Sequence, residues 1–444
     1  MLSGNSKTQI FCHFNKLPYS IKIVFHDFIH YSNDLIAFIK LKSLKIISQL
    51  KTMLEREMRT PLPISVYMLS FGIFIMISCE LQVLGMMEQL AAALTISIAQ
   101  AGYLVSIFAA SMAIGGPILA ILVSRLAVKK TLMILYIIFI LGELLGGFSN
   151  TFSQLVIARS ITGMVSGAFF GVSIGLSARL VNSDSKLKAI STVLAGIMLG
   201  TIIGLPLAKV VSEYSNWQTS FFLVVGLASI SALLTYLTLP DLSPEPPQPL
   251  RKELGAVFDA RLWWVFCTSF CIIGAVYAPF SYIVPILNET SGISQNSITL
   301  ILFVYGGIML IGNNLVAKMA AKNTKRTLVI GISFLIVNLC IFALFNGYHW
   351  LAITCTLLLG LCGVSLNPAM VSRLMELPQG GRAFINTLHA SMITLGIMFG
   401  SFTAGTALSF GYPLTMTIWL GAAIAFFGLI ILKFSPINTH TPFK

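Results

Sequence analysis

The chain has 444 residues, 56% of them apolar and only 10% charged, with a mean hydropathy of +0.89. A soluble domain carries about 25% charged residues, so this composition excludes a water-soluble protein and makes the membrane span of about 20 apolar residues the structural unit. The net charge of +13 does not gather into one basic patch of the kind that binds nucleic acid. The Lys and Arg residues fall in the short gaps between apolar runs, so a lipid bilayer is an expected partner and nucleic acid is not.

Residues 1–60 form an N-terminal extension with no 20-residue apolar run and no signal-peptide plan. It reads either as a basic amphipathic segment on the membrane surface or as sequence upstream of a later start at Met53 or Met58. We favour the second, because Met58-Arg-Thr-Pro-Leu-Pro runs straight into the first apolar stretch.

Apolar runs between charged or Pro/Asn/Gly breaks predict spans at 64–84, 100–123, 131–148, 153–178, 189–210 and 218–239, then 262–287, 296–317, 327–346, 350–374, 384–408 and 412–432. With the N-terminus inside, Lys and Arg past Arg56 fall on the cytoplasmic side, except Lys209 near the outer face and Arg159 within a span. A miscounted span reverses that bias downstream. The pattern therefore predicts twelve spans in an inner (plasma) membrane with both termini cytoplasmic.

The proline-rich stretch from Leu239 to Lys252 reads as a linker. The expected organisation is an N-terminal six-helix bundle over 61–239, a cytoplasmic linker over 240–261, a C-terminal six-helix bundle over 262–434 and a tail over 435–444. An internal echo supports the division: Arg125-Leu-Ala-Val-Lys-Lys-Thr-Leu-Met-Ile after span two resembles Lys318-Met-Ala-Ala-Lys and then Arg326-Thr-Leu-Val-Ile after span eight. The predicted fold is an all-α membrane protein, with two pseudo-symmetric bundles around a central cavity that binds a small molecule.

Few ionisable groups lie inside the spans, where each is costly unless paired or facing water. Glu80 sits roughly 24 Å up span one, Glu143 roughly 18 Å up span three, and Arg159 roughly 10 Å below the outer end of span four. Two carboxylates beside one guanidinium suit proton loading and release, because Arg favours the ionised acid and burial opposes it. A static Glu–Arg pair that fixes packing is the competing reading, and Glu88, just past span one, reads as a solvated loop residue. Candidate cavity groups are Gln82, Tyr277, Ser281, Tyr282, Asn313, Asn314, Asn367, His389 and Thr394. Each serves equally as an interhelical hydrogen bond. Among the seven cysteines, Cys267 and Cys271 are one turn apart, but without His or carboxylate neighbours they read as packing residues. No metal or cofactor is expected, nor any catalytic constellation.

At these residues the chain resembles the major facilitator superfamily, and within it the bacterial drug:proton antiporters that include sugar-efflux and arabinose-efflux-like permeases. Cys79-Glu-Leu-Gln-Val-Leu-Gly-Met-Met resembles the family's Thr-Glu-Phe and Gly-Leu-Leu-Pro segment, with Glu80 at its acidic position and Glu88 where proline is usual. Ala158-Arg-Ser-Ile-Thr-Gly, continuing to Gly171, resembles the Arg-x-x-x-Gly signature, which implies a proton-coupling role for Arg159; Ser166 replaces a common His. Gly196, Gly200, Gly204 and Pro206 resemble the antiporter motif of span five, with Ala208 in place of a common Gly. The loop after span two keeps Arg125, Lys129 and Lys130 of the family's conformational loop but has Ser124 in place of its aspartate. Pro279-Phe-Ser-Tyr-Ile-Val-Pro and Gly396 to Gly400 resemble the family's spans seven and eleven. The resemblance implies a monomeric secondary transporter exporting a sugar, nucleoside or drug against protons. A uniporter or importer of the same fold and a membrane-embedded enzyme are the alternatives.

Overall fold

The chain is represented by a computed structural model that describes residues 62–123, 126–182, 185–242, 259–377 and 383–435. The extension over 1–60, most of the linker, the tail, and Ser124 and Arg125 lie outside the described residues. Eleven helices are long and apolar enough to cross a membrane. Val128–Gly147, with 20 residues and three charged side chains (Lys129, Lys130, Glu143), is span three and brings the count to twelve. No strand occurs among the described residues.

Helix starts follow local chemistry. Thr151 and Gln154 form a capping box at the head of span four, Phe152–Arg179. Asn216 accepts from the Thr219 N–H before span six, Trp217–Thr238. Asn323 accepts from the Arg326 N–H before span nine, Thr324–Phe345, and Asp259 does the same for Arg261 before span seven.

Spans one, Ile64–Gly85, and two, Ile98–Val123, are joined by a short helix, Met87–Leu94. Three spans depart from the single uninterrupted helices expected of them, each beside a proline. In span five, Lys186–Leu199 widens to a π-turn over Gly200–Gly204 and resumes as Leu205–Tyr214; Pro206 cannot donate to the Ile202 carbonyl. Span seven runs Ala260–Phe280, breaks at Ser281 and Tyr282, and continues as Ile283–Pro285 and a π-turn, Ile286–Thr290; Pro279 and Pro285 remove two donors. Span ten is His349–Cys362, a 3₁₀ turn Val364–Leu366 and Asn367–Met375, with Pro368 at the head of the last piece. Spans eight, Gln295–Ala320, eleven, Ala383–Ser409, and twelve, Thr415–Phe434, are continuous.

The packing repeats between the halves. Span one lies against five and six, two against four, and three against four and six. Span seven lies against eleven and twelve, eight against ten, and nine against ten and twelve. Across the halves, two packs on eleven and five on eight. Small residues permit the close approaches that helix association in lipid requires: a Cβ on Gly200 would stand 2.7 Å from the Ile77 Cβ and 2.9 Å from the Phe74 carbonyl oxygen. Glycine there lets span five lie flat on span one.

Candidate functional site

Arg159, wholly buried in the first half, organises the polar centre. Its Nη1 donates to the Cys79 carbonyl oxygen at 2.8 Å and approaches the Cys79 Sγ at 3.4 Å; Nη2 donates to the Glu80 carbonyl oxygen at 3.0 Å. The guanidinium carbon lies 4.2 Å from the centre of the Phe108 ring, a cation–π arrangement with span two. Cys79 Sγ donates to Glu143 Oε1 at 3.0 Å. Spans one, two, three and four therefore meet at one guanidinium. Glu80, Glu143 and Arg159 come together as expected, yet no ion pair forms among them within the described residues. Arg159 is committed to main-chain carbonyls, and is linked to Glu143 through the Cys79 thiol.

The second half buries three aromatic rings, Tyr277, Phe280 and Tyr305, against one another. Phe280 packs edge-on to Tyr277, with centroids 5.7 Å apart, and stacks on Tyr305 at 4.8 Å. Among the buried side chains with polar atoms that lack a hydrogen-bond partner within the described residues are Gln82, with both amide atoms, and the hydroxyls of Ser281 and Tyr305.

The other candidate cavity residues are placed differently. Tyr282 is buried in the seam between the halves, where its hydroxyl donates to the Ser401 carbonyl oxygen at 3.2 Å. His389 Nε2 pairs with the Ser269 hydroxyl at 2.8 Å and its ring stacks on Phe266, all within the second half. Thr394 turns its hydroxyl back to the Ala390 and Ser391 carbonyl oxygens. Asn314 is exposed and bonded to its own helix at Leu310; Asn313 is half-buried, and Asn367 is exposed at the head of its short helix.

The cross-half contacts gather at the end opposite the basic turns. Ser401 Oγ donates to the Gly102 carbonyl oxygen at 3.1 Å, Tyr103 pairs with Thr406 at 3.5 Å, and the Tyr103 and Phe402 rings meet at 5.4 Å. Gly204 and Pro206 are buried in span five at this same end. At the basic end, Lys129 lies 3.9 Å from Asp241 and 4.5 Å from the Tyr236 ring centre, while Lys130 is exposed. Among the described residues no group of His, Cys, Asp or Glu could hold a metal ion.

This arrangement of two repeated bundles, meeting at a seam beside a buried polar centre, agrees with the comparisons. The sequence model of the Major Facilitator Superfamily matches residues 65–401. The chain belongs to that superfamily. It is 25% identical to the MFS-type transporter YfhI of Bacillus subtilis (strain 168), over 83% of this chain and 94% of that protein. It is 24% identical to the putative transporter AraJ of Escherichia coli (strain K12), over 81% and 91%. Identity to a probable sugar efflux transporter of Helicobacter pylori (strain ATCC 700392 / 26695) is 23%, over 84% and 95%. The nucleoside transporter NupG matches in structure with a TM-score of 0.68 at 15% identity, over 84% of this chain and 99% of that one. An inward-facing bacterial homologue of the human lysosomal transporter Spinster matches with a TM-score of 0.67 at 14%, over 84% and 98%. Both structures support the superfamily fold. As a superfamily transporter the chain is embedded in a membrane and carries a small-molecule substrate.

Several residues of this transporter escaped the sequence reading. Glu88 is not a solvated loop residue: it is half-buried at the start of Met87–Leu94 and accepts hydrogen bonds from Asn288 and Gln295 of the other half. Its partners lie some two hundred positions away, and no local pattern announces them. Arg373, expected at the cytoplasmic end of span ten, is buried in Asn367–Met375. Lys209 did leave a signal, as the one basic residue on the wrong side of the Lys/Arg bias.

Proposed function

We propose that this transporter is a proton-coupled exporter of a small, neutral or weakly polar organic solute. It works by alternating access, as a monomer, in the inner membrane with both termini cytoplasmic. One observation carries the reading: the Glu80 carboxylate is buried beside Arg159 but makes no hydrogen bond or ion pair within the described residues, while Arg159 is fixed on the main chain below it. A carboxylate held in a static ion pair stays ionised and has little reason to take up a proton; an uncommitted one exchanges its proton when water access changes. Burial favours the neutral acid and the guanidinium favours the anion, so rocking of the halves that wets or dries Glu80 loads and unloads it. Glu143, tied to Cys79, is the second candidate coupling group.

The substrate class follows from the buried rings and unpartnered polar atoms of spans one, seven and eight. The Tyr277–Phe280–Tyr305 rings offer flat apolar area. The unpartnered polar atoms of Gln82, Ser281 and Tyr305 offer donors and acceptors without net charge. A polyhydroxylated ring, such as a sugar or nucleoside, uses both. The sugar efflux name of the Helicobacter pylori relative and the nucleoside transport of NupG point the same way. With the basic turns inside, the seam at the opposite end is the outer gate, and the Ser401–Gly102 and Tyr103–Thr406 contacts close it.

The test is efflux in vesicles under an imposed proton gradient, screened with sugars, nucleosides and cationic dyes. Glu80→Gln and Arg159→Ala are expected to abolish gradient-driven movement. Full transport by both variants overturns the proposal.

A further inference from the structure

Lys209 has no exposed surface, although it carries a charge near the end of span five. Such a group persists only where fixed partners replace its water. Its ammonium donates to Glu213 one turn on, and across the seam to Gln295 Oε1 at the head of span eight. Gln295 Nε2 then donates to Glu88 Oε2 at 2.6 Å. Asn288 Nδ2, from the far end of span seven, lies 3.3 Å from both oxygens of the same carboxylate. The chain Glu213–Lys209–Gln295–Glu88–Asn288 runs from the first half into the second, back into the first, and into the second again. Nothing in the proton-coupling centre uses it.

We propose that this network is the latch that holds the outer gate shut, with the Gln295 amide as its relay. The side chain suits the task because its two ends have opposite polarity. The carbonyl faces a cation and the amino group faces an anion, so the two charges fix the amide's orientation and each bond strengthens the other. Close approach of the backbones supports it on both sides. A Cβ on Gly85 would stand 2.8 Å from the Leu205 carbonyl oxygen, and one on Gly306 would stand 2.7 Å from the Ile202 Cα. Spans one and five are thus pressed together beside Lys209, and spans five and eight about three turns of span eight away from Gln295. Rocking to the outward-open state pulls Gln295 off Lys209 and Glu88 together. Opening then leaves both charges to water entering the gate, while closing requires that water to leave. The latch makes the closed outer end a discrete state.

Placing this end outside rests on the orientation proposed above, and the experiment separates the two claims. A cysteine reporter at Ser106, buried one turn below Gly102 in span two, is labelled with a membrane-impermeant maleimide in right-side-out and inside-out vesicles. Gln295→Leu removes the relay without changing any charge. Lys209→Gln removes the cation. Thr299→Val, one turn further along span eight and bonded only to its own helix at Gln295 O, is the control. Each interhelical hydrogen bond lost in a membrane shifts the population about threefold, so Gln295→Leu is expected to raise labelling several-fold, and Thr299→Val to leave it at the parent level. Labelling from inside-out vesicles instead reverses the orientation and leaves the latch intact. Folded Gln295→Leu protein that labels at the parent rate overturns the latch. If Lys209→Gln fails to accumulate, Gln295→Leu decides alone.

Discussion

Arg159 holds Glu80 by its main chain: Nη2 donates to the Glu80 carbonyl oxygen at 3.0 Å, and the side-chain carboxylate takes no hydrogen bond from the guanidinium. The positive charge and the acid are neighbours without being partners. Anchoring is thereby separated from coupling, and the two can be removed one at a time.

Glu80→Gln deletes the titrating group and leaves both Arg159 anchors in place. Its thermal stability in detergent is expected within about 1 kcal/mol of the parent, with gradient-driven efflux lost and downhill exchange of substrate retained. Arg159→Met leaves two carbonyl oxygens without their donor and two buried carboxyl groups without their cation, a loss of about 3 kcal/mol or more. Arg159→Lys recovers the charge but not the fork that reaches Cys79 and Glu80 together, and is expected between the two. Paired melting and efflux measurements check the order.

The seam supplies a second prediction. Tyr282 lies over Gly102, and a Cβ at position 102 would collide with its hydroxyl. Gly102→Ala is expected to cost about 1–3 kcal/mol by overpacking and to favour opening of the outer gate. Tyr282→Ala clears the hydroxyl and also the ring carbons Cζ and Cε1, which a Cβ at 102 would meet at 2.3 and 2.5 Å, and alone costs about 3–5 kcal/mol. With it in place, Gly102→Ala should add little further loss. A double-mutant cycle on melting temperature gives the coupling directly; additive losses would place Tyr282 elsewhere.

The fold was legible because each span is a long apolar run and alternate turns between spans carry the Lys and Arg residues, signals that are local. The breaks in spans five, seven and ten were not read from the sequence, although each lies beside a proline: Pro206, Pro279 with Pro285, and Pro368. The site was legible only in its members. Glu80, Glu143 and Arg159 stood out as charges in lipid, but the acceptors Arg159 uses are backbone carbonyls, which every residue has. His389 and Thr394 read as cavity groups because sequence gives a helix's composition and not which face meets the other half. His389 turns to Ser269 and Phe266 of its own bundle, and Thr394 bonds back to its own helix.

At the basic end, Lys129 reaches Asp241 at 3.9 Å and the Tyr236 ring at 4.5 Å. Asp241 is 92% exposed, so water screens the pair and its worth is under about 1 kcal/mol. Asp241→Asn is expected to leave both melting temperature and efflux at the parent level. Lys129→Ala also loses the contact with Tyr236 and should cost slightly more. A large transport defect in Asp241→Asn would mean that this contact latches the inner side despite its exposure.

Glu143 separates a structural acid from a transporting one. It is fully buried, and Oε1 accepts from Cys79 while Oε2 has no partner among the described residues. Cys79 in turn receives Arg159 Nη1 on its sulfur and its carbonyl oxygen, so Glu143 communicates with the anchor through one thiol. Cys79→Ala removes that thiol and should cost about 1–3 kcal/mol, because a buried acceptor loses its donor. Cys79→Ser keeps a donor with a shorter reach and is expected to lose less. Glu143→Gln keeps an acceptor for the thiol and removes the acid, so stability should hold. Proton-to-substrate stoichiometry then decides its role, measured from the efflux driven by gradients of known size. An unchanged ratio makes Glu80 the sole carrier and Glu143 a packing acid; a ratio lowered by one proton makes Glu143 the second carrier. The uncommitted carboxylate of Glu80 against the tied carboxylate of Glu143 favours the unchanged ratio.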